Sequence, residues 1–163
     1  MNSFGKIRIG EGFDVHPLRA GRKLVLAGVE IPYEKGLDGH SDADALLHAA
    51  VDAVLGALAA GDIGQWFPDN DQQYRDIDSS RLMVKVLESD ICRDWRLNNL
   101  DCTLMAEKPR LAEYILPMRK NLSRIFKVQL DQISVKATTC EKLGFIGRGE
   151  GIAAGVTVLM TRK

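Results

Sequence analysis

The stretch KIRIGEGFDVHPL, residues 6–18, bears more on the fold than any other segment of this chain. Lys6, Ile7, Arg8 and Ile9 alternate basic and apolar ahead of the glycines, which is the period of a strand. Gly10 and Gly12 suggest a phosphate loop. However, Val15 stands where the third glycine of GxGxxG belongs and no long helix follows, so the dinucleotide fingerprint fails. The glycines are instead expected to let the backbone turn close to a substrate. If the strand runs on through Asp14 and His16, both side chains share one face. A carboxylate beside an imidazole suits a divalent metal, zinc in particular. The same pair also reads as a surface acid next to a packed histidine.

Outward from this stretch, LVLAGVEIP (24–32) reads as a second strand or hairpin arm that stops at a proline. Leu46, Leu47, Ala50, Val51, Val54, Leu55 and Leu58 recur at helical steps, predicting a helix from Ser41 to about Ala60. Ser41 or Asp42 is its expected cap and Gly61 its stop. Residues 62–78 carry no periodicity and form a long loop, the mark of a working segment. A second helix is expected over Ser79–Ser89, a strand over 97–106, and a helix over Arg110–Phe126 that Pro117 bends or breaks. Strands at 133–139 and 152–160 close the chain. With no repeat and no boundary, the pattern predicts a single α+β domain, a mixed sheet with helices packed on one face.

Composition narrows the function. The 163 residues hold 45% apolar side chains and 22 basic against 22 acidic groups. A balanced charge supplies no field for nucleic acid or an anionic membrane, so neither is expected as a partner. The amino terminus lacks a signal peptide's apolar stretch and nothing is long enough to span a bilayer. Cys92, Cys102 and Cys140 form no CxxC pair, consistent with a reducing, cytoplasmic setting.

The chain has only three histidines, and His40 and His48 bracket the start of the first helix. His48 sits among alanines and leucines, as a core residue would, but Asp44 and Asp52 lie four residues either side. Either could accept its second ring N–H, as a metal-bound imidazole requires. Asp14, His16 and His48 together would make three ligands with a fourth position open. His40 and Ser41, at the expected helix start, are candidates for an anion. KATTCEK (136–142) ends a strand with two hydroxyls and Glu141, a hard carboxylate of the kind magnesium prefers. It reads equally as a plain strand end.

IGEGFDVH, IPYEKGLDGHSDAD followed by His48, GDIGQWFPDND, AEKPR and VKATTCEKLGFIGRGEGIA occur together, in order, across nearly the whole chain. In this the chain closely resembles the 2-C-methyl-D-erythritol 2,4-cyclodiphosphate synthase family. The resemblance implies a homotrimer with active sites between neighbouring subunits. It implies a cytidine diphosphate substrate whose 2-phosphate attacks the β-phosphate and expels CMP. Asp14, His16 and His48 match the family's zinc ligands, and Glu141 matches the ligand of a bridging Mg2+ or Mn2+. His40 and Thr139 match its transition-state stabilisers, and His40 and Ser41 its phosphate contacts.

Further positions match by segment. Asp62, Ile63 and Gly64, with Phe67, Pro68, Asp69, Asn70 and Asp71, match the erythritol pocket. Ala106, Glu107, Lys108, Pro109, Arg110, Leu111 and Ala112, with Thr138, Thr139, Cys140 and Glu141, match the cytidine diphosphate pocket. Phe145 and Arg148 fall on further substrate positions. Phe13, Arg148 and Glu150 match a threefold cavity that holds an isoprenoid diphosphate in relatives. Two residues depart from the family: Glu11 between the glycines, and Cys140 in place of the third threonine of a TTT run. A zinc phosphoesterase and a metal-binding isoprenoid sensor stand as alternative readings at this point.

Overall fold

The computed structural model describes residues 3–163, and in it the strand that begins near Lys6 does not stop at the glycines. Ile7–Ala20 is one strand, β1, and Gly10, Gly12, Asp14, His16 and Leu18 share its inward face. Three short strands follow it. Leu24–Leu26 (β2) and Val29–Ile31 (β3) form a hairpin, and Lys35–Leu37 (β4) pairs with the end of β1. LVLAGVEIP is therefore a complete hairpin, not one arm. Ala27 and Gly28 at its tip both take positive φ, 52° and 70°, as a type I′ turn demands.

Trp95–Met105 (β5), Ile133–Thr138 (β6) and Gly151–Arg162 (β7) complete the main sheet, in the order β4–β1–β7–β5–β6. β7 runs antiparallel to β1 from Ile7↔Thr161 to Pro17↔Gly151, and antiparallel to β5 on its other side. Only β5 and β6 are parallel, so the sheet is mixed as expected.

The central helix, α1, spans Ala45–Ala57 and buries ten side chains. It lies on β1 so closely that a Cβ added at Gly10 would meet Ala53 O at 1.9 Å, and one at Gly12 would meet Ala49 O at 1.9 Å. This corrects the reading of the glycines: they admit a helix, not a substrate. The cap is also corrected. Asp44, not Ser41 or Asp42, caps α1, accepting from Leu47 N–H at 3.0 Å. Its carboxylate is fully buried and accepts from Ala27 N–H at 2.9 Å and Gly28 N–H at 2.6 Å as well. One side chain thus fixes the helix start to the hairpin tip. The helix ends before Gly61, because Ala59 already takes the left-handed conformation at φ 54°.

The helices Ser79–Leu87 (α3) and Ile115–Phe126 (α4) pack on the same side of the sheet. Pro117 neither bends nor breaks α4. It falls in the first turn, where its missing N–H has no intrahelical partner to lose, and the helix starts five residues later than expected. The unperiodic segment 62–78 holds a short helix, Ile63–Trp66 (α2), and a 3₁₀ turn, Gln72–Tyr74. The glycine-rich stretch near the end contains a last short helix, Gly144–Gly147 (α5). The opposite face of β1 leaves Ile9 70% and Phe13 58% exposed. All three cysteines are free, and no helix among the described residues is long and apolar enough to cross a membrane.

Candidate metal centre and its two cavities

The close approach of α1 to β1 sets His48 beside Asp14 and His16. Ala49 O crosses over Gly12, so the residue before it lands next to the strand position two residues after the glycine. His16 Nε2 is 2.9 Å from Asp14 Oδ2, and His48 Nδ1 is 3.2 Å from the same oxygen. The two ring nitrogens are themselves 3.1 Å apart. Among the described residues these three form the group of acids, histidines and cysteines disposed to hold a metal ion.

The protons of the rings can be placed. His16 Nδ1 lies 3.0 Å from Asp38 O, a carbonyl that only accepts, so Nδ1 carries the proton and Nε2 presents a lone pair inward. His48 Nε2 lies 2.9 Å from Ser79 Oγ and 3.0 Å from Ser41 Oγ, leaving Nδ1 as the inward atom. Asp14 Oδ2, buried between them, has no hydrogen-bond donor while both inward nitrogens are unprotonated. Two imidazole nitrogens and an orphaned carboxylate oxygen aimed at one point are a donor set for a cation, and the residues fit a divalent metal. Without one, a proton takes part of its role. Burial disfavours the charged form of His16, but the Asp14 carboxylate outweighs it and holds the imidazole pKa above its ordinary value. Burial likewise opposes Asp14 ionisation, yet the two histidines hold its pKa well below the usual range.

Neither acid expected to orient His48 does so. Asp44 caps α1, and Asp52 accepts from Ile63 N–H at 2.7 Å, pinning α2 to the helix. The partner is Ser79, 31 residues downstream, a contact that spacing alone could not disclose. Arg22 was likewise invisible. Its guanidinium donates to Leu37 O at 3.1 Å, Gly39 O at 3.3 Å and Ser41 O at 3.0 Å, holding the segment that carries Asp38, His40 and Ser41.

The cluster opens into a cavity of about 240 Å³ walled by His40, Ser41, Ile63, Gly64, Phe67 and Asp69, with Gly39, Tyr74 and Leu82 added to the expected set. Of the other residues expected there, Asp62 and Asp71 instead cap α2 and the 3₁₀ turn, accepting from Gln65 N–H and Gln73 N–H. Pro68 and Asn70 lie outside its wall. Asp71 O stands 3.3 Å from His40 Nε2. A second cavity, about 350 Å³, is lined by Ala106, Glu107, Pro109, Arg110, Leu111, Ala112, Thr138 and Thr139. Lys108, Cys140 and Glu141 are not among its lining residues.

Both cavities sit at one end of the sheet, since His16 pairs with Ile152 and Met105 with both Ala153 and Thr138. Yet β1 and β6 are three strand spacings apart, about 14 Å, so the two cavities stay separate within one chain. Glu141 stays beside the end of β6, accepting from Thr139 Oγ1 at 3.0 Å. Phe145 is exposed, and exposed Arg148 pairs with Glu150 at 2.7 Å.

A sequence profile of the YgbB family matches residues 7–161 of this chain. The chain belongs to the YgbB family. Its family relatives carry the name expected from the motifs. A 2-C-methyl-D-erythritol 2,4-cyclodiphosphate synthase of Geobacillus sp. (strain WCH70) is 56% identical over 96% of this chain and 99% of its own length. Among solved structures, the bifunctional IspDF from Campylobacter jejuni superposes with a TM-score of 0.92 at 40% identity. That match covers 97% of this chain but 43% of the longer protein. The IspF (Plasmodium falciparum) CDP complex superposes at 0.84 with 32% identity, covering 97% of each chain.

Proposed function

We propose that this YgbB-family chain converts 4-diphosphocytidyl-2-C-methyl-D-erythritol 2-phosphate into 2-C-methyl-D-erythritol 2,4-cyclodiphosphate and CMP, a phosphorus–oxygen lyase step of isoprenoid biosynthesis in the cytoplasm. The observation that carries the reading is the orphaned Asp14 Oδ2 facing two inward imidazole nitrogens on the floor of a cavity that also holds His40 and Ser41. Asp14, His16 and His48 would hold Zn2+, which when bound neutralises and orients a phosphate oxygen. Glu141 would hold a Mg2+ or Mn2+ on the diphosphate. An oxygen of the 2-phosphate forms a bond to the β-phosphorus, and the bond from that phosphorus to the oxygen bridging to the α-phosphate breaks. CMP leaves with that oxygen, and no water is consumed.

In this reading the protein's work is positioning and charge neutralisation. His40 and Ser41 face the phosphates from a segment held by Arg22, and Thr139 donates from the end of β6. Ala106–Ala112 and Thr138 hold the cytidine diphosphate end, while Ile63, Gly64, Phe67 and Asp69 close around the erythritol. A homotrimer in which each site takes its two halves from neighbouring subunits is supported by the gap between the cavities and by the exposed apolar face of β1. Phe13, Arg148 and Glu150 are the residues we propose around a threefold cavity able to take an isoprenoid diphosphate.

Incubation of the metal-loaded protein with the diphosphocytidyl substrate should release CMP, with phosphorus NMR showing one cyclic diphosphate. Linear phosphates alone would count against cyclisation, and undiminished CMP release by His48→Ala would count against the metal assignment.

A further inference from the structure

Ser79 is fully buried at the start of α3 and is none of the expected site residues. Its hydroxyl lies 3.4 Å from Ser41 Oγ, a group able to donate or accept, and closer to two groups of opposite character. On one side is Asp42 Oδ1 at 2.5 Å, and on the other is His48 Nε2 at 2.9 Å. Asp42 is also the acceptor for Ser79 N–H at 3.1 Å, through Oδ2, and for Asp44 N–H at 3.2 Å, through Oδ1. A carboxylate already taking two backbone N–H groups has only acceptor capacity to offer the hydroxyl, so the Ser79 proton points to Asp42. The hydroxyl then has only lone pairs left for the ring. His48 Nε2 must supply the proton between them, since a bare nitrogen there would set lone pair against lone pair at 2.9 Å.

The direction of the whole chain follows: His48 Nε2–H donates to Ser79 Oγ, and Ser79 O–H donates to Asp42. The consequence reaches the metal centre, because a neutral imidazole protonated on Nε2 has its free pair on Nδ1. That atom faces Asp14 Oδ2 and His16 Nε2. Ser41 Oγ, also 3.0 Å from Nε2, does not set this direction. It accepts Ala43 N–H at 3.1 Å, and its own proton can point either way.

We propose that Asp42 and Ser79 are positioning residues that lock His48 in the Nε2–H tautomer and so ready Nδ1 for the cation. This rests on the metal reading above for its purpose, but the tautomer is a property of the protein alone. Removing an outer partner of a metal-bound histidine costs typically ten- to a hundredfold in metal affinity, and reversing a buried tautomer disables a histidine without moving it.

The test begins with the chelated wild-type protein and long-range nitrogen–proton NMR of the histidine rings. His48 is expected as the Nε2–H tautomer, and an Nδ1–H ring would overturn the proposal outright. Next, zinc affinity is measured by chelator competition for Asp42→Asn and Ser79→Ala. An amide at position 42 no longer compels the Ser79 proton toward it, so D42N should show mixed His48 tautomers and bind zinc about tenfold more weakly. Ser79→Ala leaves Ser41 as a substitute partner and should lose less. D42N with wild-type tautomer and zinc affinity within twofold would also refute the idea. Should D42N not fold, the wild-type spectrum still decides. A wild-type protein that shows the Nε2–H ring but binds no zinc would refute the metal reading and leave the tautomer lock standing.

Discussion

Gly12→Ala is the sharpest perturbation the fold offers, because it adds one methyl group where helix and strand touch. The new Cβ would lie 1.9 Å from Ala49 O, 2.8 Å from Ala53 N and 2.9 Å from Ala49 C, all backbone atoms that cannot rotate away. Even to reach 3.0 Å from the carbonyl oxygen, α1 must retreat by about 1.1 Å. The helix buries ten side chains, so the retreat loosens the whole inward layer. Overpacking of this kind costs about 3 kcal/mol, which for a chain of this length lowers Tm by roughly 6–12 °C. His48 precedes Ala49 and travels with it, whereas Asp14 and His16 stay on β1. A displacement near 1 Å is several times the tolerance of about 0.2 Å in metal–ligand distances, so zinc affinity should fall at least about tenfold.

The measurements are thermal melts of the chelated protein and zinc affinity by chelator competition. Gly56→Ala on the same helix is the control. Its Cβ meets nothing closer than Glu11 O at 3.7 Å, and a helix interior gains up to about 1 kcal/mol from the exchange. A G12A protein that melts within about 2 °C of the parent and binds zinc as well would show that the glycine is not there for the helix.

Asp44→Ala removes the acceptor of three backbone N–H groups, those of Ala27, Gly28 and Leu47, and should cost about 3 kcal/mol or more in urea unfolding. An unchanged midpoint would mean water replaces the carboxylate. The chelated protein should also show a pH window. Asp14, held below its ordinary 3.8, contributes stability above that pH that is lost as pH falls through the lower value. His16, held above its ordinary 6.5, contributes fully below that pH, and this is lost as pH rises through the raised value. The stability difference between the parent and His16→Ala should therefore be greatest between about pH 4 and 6.5 and shrink above it. Zinc should restore the loss at high pH, and a difference that grows with pH in chelator is the contrary result. Phe13→Asp, on the exposed face of β1, should dissociate the proposed trimer in sedimentation, and a parental mass would argue against that assembly.

What could be read from the sequence and what could not divides along a physical line. Period-two and period-3.6 patterns report which face of an element is buried, so β5, β6, β7, α1 and α3 were all placed to within a few residues. The spacing of Asp14 and His16 gave a shared face as soon as the strand was long enough, and the structure made it long enough. Failures came where a side chain's partner is distant in the chain. Nothing near Asp44 announces that its carboxylate is needed by a hairpin tip 16 and 17 residues upstream, so nearer Ser41 and Asp42 took the cap by default.

Gly10 and Gly12 failed for a related reason. A glycine is silent about which of its uses is in force, and only the position of α1 reveals that the missing Cβ is the point. The same contact explains how the Asp14, His16 and His48 cluster assembles. Because Gly12 lets Ala49 O come down onto β1, the imidazole before it reaches two residues of a strand more than thirty positions earlier. Packing and the proposed chemistry therefore meet at one crossing, and the glycines that resembled a phosphate loop act on the candidate site through the helix they admit.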